Sequence, residues 1–476
     1  MNERPHSVNP RRRKRTPWEN FKEAYLPAII ACAALLLILI FIIGSISRGI
    51  QHKKAKEYAL LAADKAAAAE MTRLNNEASL LMSQAATLAD QYDYIGALEI
   101  LDRFTGDRSK FQKLADVYAQ YEAAQADMVL WNDPSKVVNL SFQLLIADPQ
   151  RAFNDASYAR AFNRNFITTT EFSKILQQLY ENGYILVRHS DIIESTANAD
   201  GSYTTKVKDL YLPNGKKPLI ITQTNVNYNT YMVDGDGDRL PDKDGSGFAS
   251  RLILDANGKL SCEIVNADGS TSTGTYDLVP ILESFIATHP HFSYKGARAV
   301  LAVTGYDGVF GYRTNPGADD FFGTMVYTKE VENAGAVAKA LRDAGYEIAC
   351  YTYNNEDYNA LSAGQIEADI NKWLTEAAPI IGKTNILVFA QNSDIAPAKV
   401  TYSGDKFRVL AQAGFCNYLG FSTDGSGWFV TTDGYTRLGR LMVTGANLAY
   451  NAQWFDGIFD AQSVLDRSSR GEVPAW

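Results

Sequence analysis

Histidine and cysteine are scarce in this chain: 476 residues hold five of the first and four of the second. The histidines are His6, His52, His189, His289 and His291. Only His289 and His291 lie close enough to pinch a metal ion, and with no third ligand in view an ordinary loop accounts for them. Of the cysteines, Cys32 sits in an apolar run, while Cys262, Cys350 and Cys416 have no metal-type spacing and allow at most one disulfide. Cys350 reads as a buried, inert thiol, because no histidine is expected beside it. The formal net charge is -8 although the first sixty residues are strongly basic, so the remainder is acidic and a nucleic-acid partner is excluded.

Charge is absent altogether from Leu26 to Ile46, LPAIIACAALLLILIFIIGSI. About 20 apolar residues cross a bilayer as a helix, so 26-46 is read as a transmembrane helix. GSISRGIQHKKAK follows directly, with no small-residue cleavage site, which makes the run an uncleaved anchor. Arg11, Arg12, Arg13, Lys14 and Arg15 outweigh Arg48, Lys53, Lys54 and Lys56. That bias makes 1-25 a basic cytoplasmic tail and leaves the large domain extracellular at the cell membrane.

Proline is missing from Ala55 to Ala126, where Ala, Leu, Glu, Gln and Lys recur at helical spacing. Residues 51-130 are therefore expected to form a helical stalk. Glu77 to Phe104 resembles one tetratricopeptide-like hairpin, with small Ala85, Ala86 and Ala97 at its close approach, and a single copy makes no solenoid. Recruitment of a protein partner by this hairpin is the alternative to a plain spacer. WNDPSK, Trp131 to Lys136, marks the boundary, because Asp-Pro ends a helix.

Beyond it strands and helices alternate. Val137 to Ile146, Lys217 to Thr224, Ala297 to Gly305, Tyr346 to Thr352, Asn385 to Gln391 and Asn417 to Thr423 read as buried parallel strands. Thr169 to Gly183, Thr328 to Gly345 and Ser362 to Gly382 read as helices between them. Such a pattern predicts a β/α barrel, whose chemistry sits where strands end.

The stretches LPNGKKPLIIT, GFASRLILDANGKLSCEIV, YDLVPILESFIATHPHFSYKGARAVLAVTGYDGVFGYRT, AVAKALRDAGYEIA, TTDGYTRLGRLMVTG and IFDAQSVLD together resemble the polysaccharide deacetylase family, the NodB homology domain, in its membrane-anchored clostridial branch. The resemblance covers 137-476 and implies an irregular (β/α) barrel of the NodB type. It also implies hydrolysis of acetyl groups on chitin-like or peptidoglycan sugars by a divalent metal, Zn or another ion, held by one aspartate and two histidines, with a second aspartate as base. At the positions matching the base and the aspartate ligand this chain has Thr224 and Asn225, and at those matching the histidines it has Tyr351 and Asn355. Gln143 stands where an upstream histidine belongs, and Asp394 alone matches the family in the stretch Phe389 to Asp394. An amide and a phenol are poor substitutes for carboxylate and imidazole, so no transition metal is expected.

VDGDGDRLPDKDG is read separately. Asp234, Asp236 and Asp238 fall at positions 1, 3 and 5 of a calcium loop, Leu240 at 7 and Asp242 at 9, with Asp244 in reserve. Arg239 replaces the usual glycine and Gly245 the bidentate glutamate, so 234-245 is expected to bind calcium weakly and structurally. The reading is an envelope deacetylase-like protein without hydrolytic chemistry, binding glycan or a partner through Tyr306, Tyr312, Arg313, Asp394, Trp428 and Arg440. An active deacetylase with an unrecognised ligand set, and an assembly protein acting through the hairpin, are its alternatives.

Overall fold

The computed structural model describes residues 16–131, 133–155 and 157–475; the basic block Arg11 to Arg15 and the terminal Trp476 lie outside the described residues. The chain divides into two compact units, one running to Leu80 and including Thr105–Asp107, the other comprising Leu81–Phe104 and everything from Arg108. A single helix, Leu26–Ala89, begins in the first unit and ends in the second. Among the described residues it is the one helix long and apolar enough to cross a membrane, by length and composition. Strong helix formers carry it past Gly44 and Gly49 without a break. In the first unit the Glu77 carboxylate accepts from the Thr105 backbone N–H (2.9 Å) and hydroxyl (2.8 Å).

The second unit joins short helices to a barrel. Tyr94–Leu101 packs on Gln112–Ala126. Ala85 and Ala97 are fully buried, as close helix packing requires. The turn after Ala89 is fastened to the barrel: the Lys295 N–H donates to the Gln91 carbonyl (2.7 Å), and Lys295 Nζ lies 3.8 Å from Asp93.

Seven parallel strands close the barrel in sequence order: β1 (Val138–Phe142), β2 (Lys217–Thr224), β3 (Val300–Val303), β4 (Glu347–Cys350), β5 (Ile386–Val388), β6 (Asn417–Phe421) and β7 (Thr436–Met442), with β7 pairing back to β1. Ala302 stands opposite Thr224, Val303 opposite Cys350 and Phe421 opposite Arg440. Alternate residues face alternate sides. One set, with Val300, Ala302, Ala349, Val388, Leu419 and Leu438, lines the interior. The other, with Leu301, Val303, Cys350, Leu387 and Phe389, meets the helices. Burial on both faces explains the uninterrupted apolar runs.

β7 is absent from the six strands read in the sequence, because Arg437 and Arg440 break its apolar pattern and both are fully buried. The stretch Ser362 to Gly382 is likewise not one helix: Ala363–Lys372 passes into a π-helical turn, Trp373–Ala377, and then Ala378–Ile381. That turn brings Trp373 inward, where its Nε1–H donates to the Val303 carbonyl (3.0 Å). Cys262, Cys350 and Cys416 are free and buried, so no disulfide joins them.

Candidate functional site

The C-terminal strand ends carry unusual backbone. Asn225 after β2, Thr352 and Asn355 after β4, and Gln391 and Asn392 after β5 all have left-handed φ, between 52° and 60°. For a β-branched threonine this is a strained conformation, of the kind that collects at functional sites. Glycines would relieve it; the side chains there are instead amides and a hydroxyl.

Below them the barrel interior is sealed. Ser141, Thr224, Thr304 and Arg440 are fully buried and Tyr351 nearly so. Thr224 donates its hydroxyl to the Phe142 carbonyl (3.2 Å). Burial pushes the Tyr351 phenol up, partly offset by the charge of Arg440. Arg440 reaches across three strands: Nε–H donates to the Gly420 carbonyl (3.0 Å), Nη1–H to Ser141 Oγ (3.0 Å) and Nη2–H to the Phe389 carbonyl (2.8 Å). Burial pulls its guanidinium below the usual arginine range, yet an arginine stays protonated. A divalent metal of the kind the resemblance implies does not fit here, because the converging groups are hydroxyls, a phenol and a cation. Cys350 is buried and its thiol is pushed up, consistent with an inert side chain.

The other sequence-derived contacts divide. Asp394 accepts from Tyr402 Oη (2.6 Å) and from Arg437 Nη2 (2.9 Å), which places it inside a buried cluster on the outer face of β7. Trp428 is 3% exposed, its ring so close over Gly439 that a Cβ there would lie 2.4 Å from Nε1. Tyr312 is buried near the Arg251 guanidinium, and burial raises its phenol to about 12. Trp428, Arg440 and Tyr312 therefore serve packing in this structure and offer no open face to a sugar. Tyr306 and Arg313 do meet, in a cleft of about 410 Å³.

That cleft lies among the loops following β2 and β3, where Tyr231, Thr230 and Asp307 join Tyr306 and Arg313. Asp307 accepts from the Thr230 N–H (2.6 Å) and hydroxyl (2.9 Å). Arg313 donates to the Asp307 carbonyl (3.1 Å) and the Tyr228 carbonyl (3.0 Å), so it braces both loops. On the same loops Asn225 Oδ1, both amide atoms of Asn229 and Thr304 Oγ1 are buried without a hydrogen-bond partner. Sequence reasoning missed Asn229, Thr230, Tyr231 and Asp307. The three alternating asparagines within TNVNYNTYMVDGDG hinted at them.

The aspartate-rich loop borders the cleft through Arg239, which has φ 65°. Carboxylate oxygens of Asp234, Asp236 and Asp242 gather within 4.8 Å of one another, the one such grouping among the described residues. Asp238, Asp244 and the exposed Leu240 stand outside it. Backbone N–H groups hold the cluster: Gly237 and Arg239 donate to Asp234 (2.7 and 2.8 Å), and Gly235 donates to Asp242 (3.0 Å). His189, His289 and His291 lie near the N-terminal strand ends, remote from this face; His289 stacks on Phe285 at 4.3 Å.

No family model and no curated protein matches the chain. Among solved structures, the Streptococcus pyogenes deacetylase PplD, in complex with acetate, aligns over 66% of this chain and 94% of its own, with 12% identity and a TM-score of 0.34. An overlap that loose carries no argument about this chain.

Proposed function

We propose that this chain is a membrane-anchored, deacetylase-like protein of the cell envelope whose barrel binds glycan on its C-terminal face and does not hydrolyse it. In this reading Leu26 to Ile46 spans the membrane, the basic tail is cytoplasmic and the barrel lies outside.

The cleft at Tyr231, Tyr306 and Arg313 carries the proposal. Its size, about 410 Å³, falls within the range of small-ligand sites. Tyrosine faces suit sugar rings. Thr230, Asp307, Arg313 and Asn315 line the cleft with donors and acceptors, which sugar hydroxyls satisfy in both directions. Calcium on Asp234, Asp236 and Asp242 would order the rim, because hard carboxylate oxygens at close spacing suit that ion.

The test is calorimetric titration of the full chain in detergent micelles with soluble peptidoglycan fragments and chitooligosaccharides, in calcium and in chelator. Binding is expected, weaker in chelator and reduced about tenfold by Tyr306→Ala. Failure of both glycans to bind, or indifference to Tyr306→Ala, overturns the reading. Chelator-sensitive acetate release would instead favour an active hydrolase.

A further inference from the structure

We infer that Arg440 is a built-in cation that plugs the barrel and bars a divalent metal from it. Arg440 lies on the interior face of β7, two residues beyond Leu438, and is fully buried. Its three strongest partners are neutral and come from three other parts of the ring: the Gly420 carbonyl of β6, the Phe389 carbonyl after β5 and the Ser141 hydroxyl of β1. The guanidinium is thus held by β1, β5 and β6 at once and has no free arm to swing away.

Thr224 and Tyr351 lie at the ends of the strands β2 and β4 with their side chains toward the same interior, and the phenol feels the charge of Arg440. A fixed positive charge at this depth, where water is excluded, opposes a second cation strongly. Loss of metal ligands alone would be reversible by restoring them. A plug predicts that restoring them is not enough. This inference concerns only the cation in the barrel and stands whether or not the cleft binds glycan.

The experiment compares full-length proteins in micelles by zinc titration and elemental analysis. A triple variant, N225D/Y351H/N355H, supplies one carboxylate and two imidazoles at the mouth. It is combined in turn with R440Q, R440M and R440K, with folding followed by near-ultraviolet circular dichroism. Zinc is expected to bind the neutral combinations more than about 100-fold tighter than the triple variant or its R440K form. Tight zinc binding by the triple variant with Arg440 in place overturns the plug. So does equal, weak binding by every folded combination. If both neutral replacements unfold while R440K folds, the barrel is built around the charge, as a plug requires; if R440K unfolds too, packing rather than charge holds Arg440 there and the inference falls.

Discussion

The two ends of the barrel are built on opposite terms. At the N-terminal end charges are matched or suppressed: the Glu347 carboxylate accepts from the backbone N–H groups of His189 (2.8 Å) and Ser190 (3.1 Å). The His189 ring beside it is buried and held neutral, its pKa pulled down from 6.5 to about 4 by burial. At the C-terminal end a buried cation is held by neutral hydrogen-bond partners, and non-glycine residues hold left-handed turns. The lesson is a division of labour: one end secures the fold, while the other gathers most of the left-handed non-glycine turns among the described residues, beside the open cleft.

That contrast breaks most sharply at Arg440. Arg440→Ala would leave the Phe389 carbonyl and the Ser141 hydroxyl without their arginine donor beside a cavity, at a cost of about 4 kcal/mol in denaturant unfolding of the full chain. A loss under about 1 kcal/mol would mean that the mouth is not organised around this residue.

The opposite end is probed by pH. The folded-state pKa of His189 lies below its unfolded value, so the folded chain binds that proton less readily. The corresponding stability is fully present above about pH 6.5 and drains as pH falls toward about 4, by about 3 kcal/mol in all. His189→Gln should flatten that limb of the stability curve, and an unchanged acid limb would show that another group governs it.

The smallest effect sharpens the claim of strain. Gln391→Gly, at φ 55°, should raise unfolding stability by about 0.5 kcal/mol, the relief of a left-handed side chain less the entropy of glycine. It should weaken glycan binding at the same time if the turn is shaped for a ligand. A loss of stability would show that the turn is not strained.

Much of this architecture was legible in the sequence because its signals are local. The uncharged run at Leu26, the helix formers after it and the strands from β1 to β6 follow from hydrophobic pattern and length. β7 was not legible: its two arginines look exposed until the fold supplies carbonyl, hydroxyl and carboxylate partners from strands far away in sequence. The candidate site was half legible. Tyr306 and Arg313 were singled out by residue type, whereas Thr230 and Tyr231 reach the same cleft only because β2 and β3 are neighbours.

By itself, then, the sequence determined the apolar helix, the alternation of strands and helices, the amides, threonine and tyrosine at the strand ends, and the spacing of the aspartate loop. All of these are properties of neighbours along the chain. Only the tertiary structure decided that Arg440, Trp428 and Tyr312 are buried packing groups, that the helical segment from Leu81 is fastened to the barrel, and that the open cleft lies beside the barrel axis between two loops. Those outcomes depend on which strands pair and which dipoles surround a charge, and such long-range contacts leave no periodic mark on the sequence.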